Sequence, residues 1–280
     1  MNSFQRIIKF TAMAFAIFLA VGIVTGIASL VLNIISAVTG TPIFGSRERI
    51  DMNADLYGVE SLEIENIAGT LNIKIGDIFR VEAENVLETF TAEVSDGGTL
   101  KISEYDKHGF LWFDFNWLST RKSNITVYIP ADFVAEEVKL RSGAGNVTIE
   151  ALRAENLMIE CGIGDLKGYN IAAEKTKVDG GVGNLTLTNV NLKNANIDCG
   201  IGEVRIEGKL LGDSKIDCGV GGIDIDITGR REDYDLDVDA GVGTIRVDGK
   251  KHSDSDNSRK SEHSIKVDGG IGKVRIDFLD

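Results

Sequence analysis

The side chains that most often carry out catalysis or bind transition metals are scarce in this 280-residue chain, which contains 3 His and 3 Cys. His108, His252 and His263 are widely separated in segments that read as loops, and no Ser/His/Asp or Cys/His set comes together around them. Nucleophilic catalysis and zinc binding both need several such groups to converge. We therefore expect a protein that is not an enzyme and has no cofactor.

A repeated series of carboxylates is the main candidate for cation chemistry. It comprises Glu160, Asp179, Asp198, Asp217, Asp239 and Asp268. Stacked about 4.8 Å apart, neighbouring carboxylates repel by about 1 kcal/mol in water, and calcium would relieve that repulsion. Lysines also stand two residues earlier in the repeat, at Lys139, Lys177, Lys215 and Lys266. Ion pairs with these lysines explain the pattern without a metal, so the sequence favours an ion-paired solvent face.

Any cation site is expected where acidic residues are densest. These residues are Asp224, Asp226, Asp235 and Asp237. The turns differ from calcium-binding Gly-Gly-x-Gly-x-Asp repeats, because Leu166, Leu185 and Val204 stand where the Asp ligand would be needed. On the far side of the turn, Arg205, Asp224 and Arg246 are predicted to alternate in charge in successive repeats.

The three cysteines share one position of the repeat. That position is filled in turn by Ser142, Cys161, Gly180, Cys199, Cys218, Ala240 and Gly269. Cys199 and Cys218 fall within disulfide range in the predicted stack, but their side chains face the same way. A buried free cysteine behaves as a small apolar residue. We therefore predict a column of small core residues, with no redox or metal chemistry.

These candidate residues are all positioned by one repeating unit. The gapless matches are LRSGAGNVTI (140–149), IECGIGDLKG (159–168), VDGGVGNLTL (178–187), IDCGIGEVRI (197–206), IDCGVGGIDI (216–225), VDAGVGTIRV (238–247) and VDGGIGKVRI (267–276). The marker glycines are Gly145, Gly164, Gly183, Gly202, Gly221, Gly243 and Gly272. An earlier copy, IENIAGTLNI (64–73), lies four repeat lengths before the first of these. Such regularity indicates a repeat protein.

Each unit predicts a strand, a glycine turn and a second strand. Apolar residues alternate on both sides of the turn, as expected for half-buried strands. Gly-x-Gly permits backbone conformations closed to other residues. It is not a phosphate loop, because no strand-to-helix switch accompanies it. A unit of about 19 residues must stack on its neighbours to bury its inner face. The predicted fold class is all-β, a single-stack β-solenoid with one N-terminal transmembrane helix.

The chain divides into five predicted segments. After a cytoplasmic N-terminus (1–9), residues 10–38 form an apolar stretch long enough to span a bilayer. A linker (39–50) leads to a degenerate solenoid start (51–139) and then to regular repeats (140–280). A cleavable signal peptide is the alternative for 10–38, but its apolar core would be shorter. Charges flanking the segment lean towards a cytoplasmic N-terminus and an external C-terminus.

Two further segments carry possible contacts. Gly22 and Gly26 are spaced as in membrane helices that pair closely, so self-association is one option. The aromatic excursion 109–118 contains Trp112, Phe113, Phe115 and Trp117. It is expected to cap the open solenoid end, to touch the bilayer interface or to bind a partner. Of these three, the cap is favoured.

Net charge limits the class of partner. The chain has 30 Lys and Arg against 43 Asp and Glu, a formal charge of −13. Nucleic-acid binding needs a basic face, so nucleic acid is excluded as a partner.

The strand ITVYIP (125–130), the segment LRSGAGNVTIEAL (140–152) and the repeated glycine turns resemble the bacterial putative-adhesin family. That resemblance covers about residues 50–280. It implies a membrane-anchored β-solenoid displayed at the cell envelope, with no catalytic residues to transfer.

The leading hypothesis is thus a non-enzymatic, single-pass membrane protein with an extracellular solenoid and an adhesin-like role. Its partners would be membrane lipid through residues 10–38 and a cell-wall polymer or another envelope protein. The alternative is a scaffold or regulator that assembles through its solenoid ends or its membrane helix. A polysaccharide-active enzyme is least favoured, because the acidic series repeats evenly and a catalytic cluster would be local.

Overall fold

The computed structural model describes residues 49–104, 123–251 and 261–279, and this part of the chain is all-β. Its strands are β1 (Arg49–Leu56), β2 (Ser61–Gly76), β3 (Phe79–Leu87), β4 (Phe90–Val94), β5 (Thr99–Glu104), β6 (Ser123–Pro130), β7 (Ala135–Ala144), β8 (Val147–Ile149), β9 (Leu152–Ile163), β10 (Leu166–Tyr169), β11 (Ile171–Val182), β12 (Leu185–Lys193), β13 (Ala195–Ile201), β14 (Val204–Leu211), β15 (Asp213–Val220), β16 (Ile223–Thr228), β17 (Tyr234–Val247), β18 (Lys250–Lys251) and β19 (His263–Leu279).

Each regular coil has three strand segments, which we call sides A, B and C. In the central repeat these are residues 176–182, 185–188 and 190–193, each paired in parallel with its equivalents in neighbouring coils. The turns lie at Gly183 (φ 146), Asn189 (φ 54) and Asn194 (φ 50). Only Gly and, less often, Asn adopt such positive φ angles at low cost, which explains these residue types at the turns.

The inner faces of the three sides form one continuous core. In the central coil the buried residues are Thr176, Val178, Leu185, Leu187, Val190 and Leu192. They alternate with exposed residues, as the period-two pattern predicts. One coil cannot bury this face alone, so the core exists only because coils stack.

The coils do not stack in sequence order. The prediction that each repeat stacks on the next repeat in the chain is therefore wrong at both ends of the stack. β19, the last strand, lies between the coil of β15 and β16 and the coil of β17, with parallel ladders to both. At the other end, β2 lies between β5 and β6 on one side and β7 and β8 on the other. The first and last copies of the repeat are therefore both inserted.

These insertions change two predicted neighbours. Gly69 lies one coil from Gly145, because β2 pairs directly with β7. The four repeat lengths that separate these two glycines in the sequence (145 − 69 = 76 residues) therefore do not correspond to four stacked coils. Arg275 lies between Asp224 and Arg246 in the charge ladder across the turn. The predicted alternation of Arg205, Asp224 and Arg246 therefore ends with two adjacent arginines.

The N-terminal end of the stack is extended by antiparallel strands. β3 pairs with β6, β1 with β3, and β4 with β5. The aromatic excursion 109–118 lies outside the described residues, so its role as a cap stays a prediction. Residues 10–38 also lie outside them. Within the described ranges, no helix is long and apolar enough to cross a membrane.

Candidate partner-binding surface

The turn between sides A and B is built by a ladder of glycines. A Cβ at Gly164 would overlap the carbonyl oxygen of Gly145, and one at Gly183 would overlap that of Gly164. The same contact continues through Gly202, Gly221, Gly272 and Gly243, in that spatial order. The first glycine of each Gly-x-Gly turn makes an equivalent close approach, as Gly181 does to the carbonyl oxygen of Gly162. Glycine is needed here because the backbones of adjacent coils touch.

The residue between the two glycines points outward and is aliphatic in most coils. Along the stack this residue is Ala144, Ile163, Val182, Ile201, Val220, Ile271 and Val242, each paired in register with the next. The six larger side chains are between 45% and 66% exposed. We call these six the aliphatic ridge. The residues on both sides of each ridge side chain are glycines, so no neighbouring side chain of the same turn covers it.

Hydrogen bonds hold the ridge backbone in place. The amide of Gly164 donates to the carbonyl of Val182 over 2.9 Å, and that of Gly183 donates to Ile201 over 2.9 Å. A second ladder runs two residues beyond the ridge, where each side-chain oxygen accepts the next coil's amide: Asn146 from Asp165 (3.2 Å), Asp165 from Asn184 (2.9 Å) and Asn184 from Glu203 (3.1 Å). The ridge is therefore a row of side chains at fixed spacing, about 4.8 Å per coil.

The predicted carboxylate series runs parallel to the ridge, three residues before it. Ladder pairing aligns Glu160, Asp179, Asp198, Asp217, Asp268 and Asp239 in that spatial order. Lys177 donates to Asp179 over 2.6 Å, and Lys215 forms an ion pair with Asp217. Arg141 donates to Glu160 over 3.1 Å. These contacts agree with the expected ion-paired face for part of the series.

Asp198 differs from its neighbours because Asn196 occupies the lysine position beside it. Asn196 donates to Asp198 over 3.2 Å. Partial burial, and then the charges of Asp217 and Asp179, raise the pKa of Asp198 above its ordinary value. Asp239 and Asp268 also have no ion pair among the described residues. The series therefore keeps an excess of negative charge beside the ridge.

The four aspartates proposed as the densest acidic patch lie in two separate places. Asp224 and Asp226 are on β16, where Arg275 makes ion pairs with both, at 3.0 Å for Asp226. Asp235 and Asp237 are on β17, and Lys266 donates to Asp237 over 2.7 Å. The four carboxylates do not converge, and no set of three metal-ligating side chains assembles within the described ranges.

The cysteine column lies in the core. Cys199 and Cys218 are buried, adjacent in the ladder and free, and Cys161 is half-buried and free. Burial raises the pKa of Cys161 to about 11, and burial together with Cys199 raises that of Cys218 to about 12. Protonated, enclosed thiols are poor nucleophiles. The column therefore packs the core.

The other candidates are placed as follows. His263 begins β19 instead of lying in a loop, accepts the amide of Gly212 over 3.2 Å and packs against Tyr234. The candidate partner-binding residues Trp112, Phe113, Phe115 and Trp117 lie outside the described residues. Sequence reasoning did not identify the aliphatic ridge. Its signal was the Ile or Val in the middle of most Gly-x-Gly turns.

Comparison with known proteins agrees with this architecture. A family model described as Toastrack DUF4097 matches residues 59–267. The chain belongs to this Toastrack family. The match spans strands β2 to β18 and reaches the start of β19, so it contains the whole of the inserted strand β2 but only the first residues of β19. A search of curated proteins found no significant match.

Several crystal structures are similar to this Toastrack chain. A putative cell adhesion protein from Clostridium sporogenes is 17% identical, with a TM-score of 0.33, and 83% of this chain covers 100% of that one. A putative adhesin from Bacteroides fragilis is 14% identical, with a TM-score of 0.43 and coverage of 82% and 98%. A putative lipid binding protein from Parabacteroides distasonis is 16% identical, with a TM-score of 0.39 and coverage of 82% and 98%.

Proposed function

We propose that this protein is a non-enzymatic interaction module of the bacterial cell envelope, anchored through residues 10–38, whose solenoid contacts an envelope partner through the aliphatic ridge. The observation that carries the proposal is the ridge itself. Six β-branched side chains are about half-exposed and lie in register from coil to coil on a hydrogen-bonded backbone. Exposed apolar side chains that are aligned in one row form a contiguous patch, and such patches often mark interaction sites.

Neither the thiols nor the carboxylates of the described residues form a competing site. The thiols are enclosed and protonated, and the carboxylates are distributed along the stack. A partner that covers the ridge gains from burial of apolar area and loses little entropy, because the ridge is already ordered. These features support a binding role in which the solenoid is a preformed surface.

Display outside the cell is supported by the amino-acid sequence. Residues 10–38 are apolar and sufficient to span a bilayer, and Arg6 and Lys9 precede them. A cytoplasmic N-terminus would place the solenoid on the outer side. The adhesin-like role is the function that follows from an anchored, outward-facing surface of this kind.

Photo-cross-linking in cells tests the role of the ridge. A photoreactive amino acid at Ile201 of the full chain should give cross-links to envelope material, and the same residue at Ile75 should not. Ile75 is a matched control because it is also half-exposed, at 41%, but lies off the ridge. Identical cross-link patterns from the two positions would contradict a specific ridge contact.

A scaffold that assembles end to end is the second candidate function. It is favoured by the outer edge of β17, which from Tyr234 to Ile245 pairs with no other strand among the described residues. An unpaired strand edge can accept another strand. Sedimentation of the full chain in detergent at increasing concentration tests this, because edge pairing would give oligomers that grow with concentration and a single species would contradict it.

A further inference from the structure

Carboxylates border the aliphatic ridge on both sides. On side A they are the carboxylate series, in which Asp198, Asp239 and Asp268 form no ion pair among the described residues, although Lys215 is close enough to Asp198 and Asp268 to interact with both. On side B, Asp165 and Glu203 stand two residues after Ile163 and Ile201, and the equivalent residues of the other coils are Asn184, Gly222, Lys273 and Thr244, so the negative charge there lies beside the first half of the ridge. Asp165 uses one oxygen to accept the amide of Asn184 and has no ion pair within the described part of the chain.

This border decides which partner fits. An acidic membrane surface would be repelled by the carboxylates, and a second copy of the ridge would bring two acidic borders together. A partner with apolar side chains in its centre and basic side chains at its rim would be attracted on both counts. Charge complementarity therefore selects a basic, amphipathic protein segment.

The dimensions of the ridge suit a helix. From Ile163 to Val242 it spans five coil steps, roughly 24 Å at about 4.8 Å per step. A helix rises about 1.5 Å per residue, so some 16 residues would cover that length. A row of single side chains packs well into the groove between two rows of helix side chains.

We propose that the aliphatic ridge and its acidic border form a docking site for a basic amphipathic helix of an envelope protein. The partner's apolar stripe packs on Val182, Ile201, Val220 and their neighbours, and its flanking Lys or Arg side chains pair with carboxylates such as Asp198 and Asp239. This inference rests on the proposed function, in which the ridge is the contact surface, and adds the chemistry of the partner.

The experiment measures binding of a synthetic 18-residue Leu/Lys amphipathic helix to the full chain in phosphatidylcholine nanodiscs, with empty nanodiscs as reference. We expect Val182→Ser with Ile201→Ser to weaken binding at least tenfold. The matched control, Val134→Ser with Ile75→Ser, removes the same residue types from half-exposed positions off the ridge and should leave the Kd unchanged.

A second comparison isolates the charge. Asp198→Asn, Asp239→Asn and Asp268→Asn together should weaken binding several-fold and flatten its dependence on salt concentration. A Leu/Glu peptide of equal length should not bind. Equal binding of both peptides, or equal Kd values for the ridge and control variants, would overturn the inference.

Other outcomes separate this inference from the proposed function. If Ile201 cross-links specifically in cells but the Leu/Lys helix does not bind, the ridge is a contact surface for a different partner and the inference is wrong. If anionic vesicles bind the chain and Val182→Ser with Ile201→Ser abolishes that binding, the ridge contacts lipid and the inference is again overturned. Each variant's circular dichroism spectrum and melting temperature would show that it is folded.

Discussion

Substitution by alanine should change the free energy of unfolding differently at three glycines of one coil, Gly180, Gly181 and Gly183. At Gly183 the backbone has φ 146, and a Cβ would overlap the carbonyl oxygen of Gly164 in the neighbouring coil. At Gly180 a Cβ would lie 3.5 Å from the nearest atom, in the column where Cys161 and Cys199 place their side chains. The repeat alignment already separates Gly180, which shares its position with Cys161 and Cys199, from Gly183 of the turn, and the structure gives the contacts that decide each effect.

The magnitudes follow from those contacts. Gly183→Ala imposes an unfavourable φ, which costs about 1–3 kcal/mol, and an overlap between backbones that costs about 1–3 kcal/mol more. The expected loss is therefore about 4 kcal/mol in the free energy of unfolding. Gly180→Ala should stabilise by about 0.5 kcal/mol, because it restricts the unfolded chain without strain. Gly181→Ala should destabilise, since its Cβ would overlap the carbonyl of Gly162.

Thermal and denaturant unfolding of the full chain in detergent, followed by circular dichroism, measures these differences. Hydrogen exchange adds a local readout, because the amide of Gly183 donates to Ile201 in the next coil. The reasoning would be refuted if Gly183→Ala stayed within 0.5 kcal/mol of the parent protein. It would equally be refuted if Gly180→Ala destabilised as much as Gly183→Ala.

Three other predictions follow from the fold. Arg275→Gln removes the ion pairs to Asp224, Asp226 and Asp277, so it should lower the free energy of unfolding by about 2 kcal/mol and speed hydrogen exchange in β19. Arg205→Gln removes only an exposed ion pair with Asp224 and should change the free energy of unfolding by less than about 0.5 kcal/mol. Equal effects of the two substitutions would contradict the assigned role of Arg275. Cys199 and Cys218 should resist iodoacetamide at pH 8 until the chain unfolds. Because their pKa values in the folded protein exceed the ordinary value of 9.0, the stability that they contribute is complete below pH 9 and falls as the pH rises above it. Replacing both cysteines by alanine should reduce that fall in stability. Nitroxide spin labels at Lys215→Cys and Lys266→Cys, one coil apart, should show stronger dipolar coupling than labels at Lys215→Cys and Asp237→Cys, because β19 separates β15 from β17; the opposite result would mean sequential stacking.

The repeat was predictable because its signals are local. Alternating apolar residues define the inner face, and Gly-x-Gly marks a turn whatever the rest of the chain does. The cysteine column followed from the same alignment, since residues at one repeat position share one environment. The parallel registers of β9, β11, β13 and β15 are those that the gapless matches imply.

The order of the coils could not be read from the sequence for a physical reason. All copies carry the same turn and the same inner face, so the copy 267–276 fits next to 216–225 about as well as 238–247 does. The choice depends on connections and on specific contacts, such as Arg275 with the two aspartates of β16. Grouping Asp224 with Asp237 failed for the same reason, because closeness in sequence does not determine which coils are neighbours.

The ridge was missed because apolar residues are normally assigned to the core. Val182 and Ile201 are flanked by glycines that bring the backbones together, which leaves no inward position for the residue between them. Only the three-dimensional turn shows that these side chains point outward and that they align from coil to coil.

Display of the solenoid outside the cell is tested by measuring the membrane topology of the protein. Intact cells producing the full chain are treated with a membrane-impermeant amine reagent, and the modification of Lys177 and Lys215 is measured by mass spectrometry. Both side chains are accessible on the described surface, at 46% and 49% exposure. If the solenoid lies outside the cell, both lysines are labelled in intact cells. Labelling only after lysis would place the solenoid inside the cell and contradict its external display.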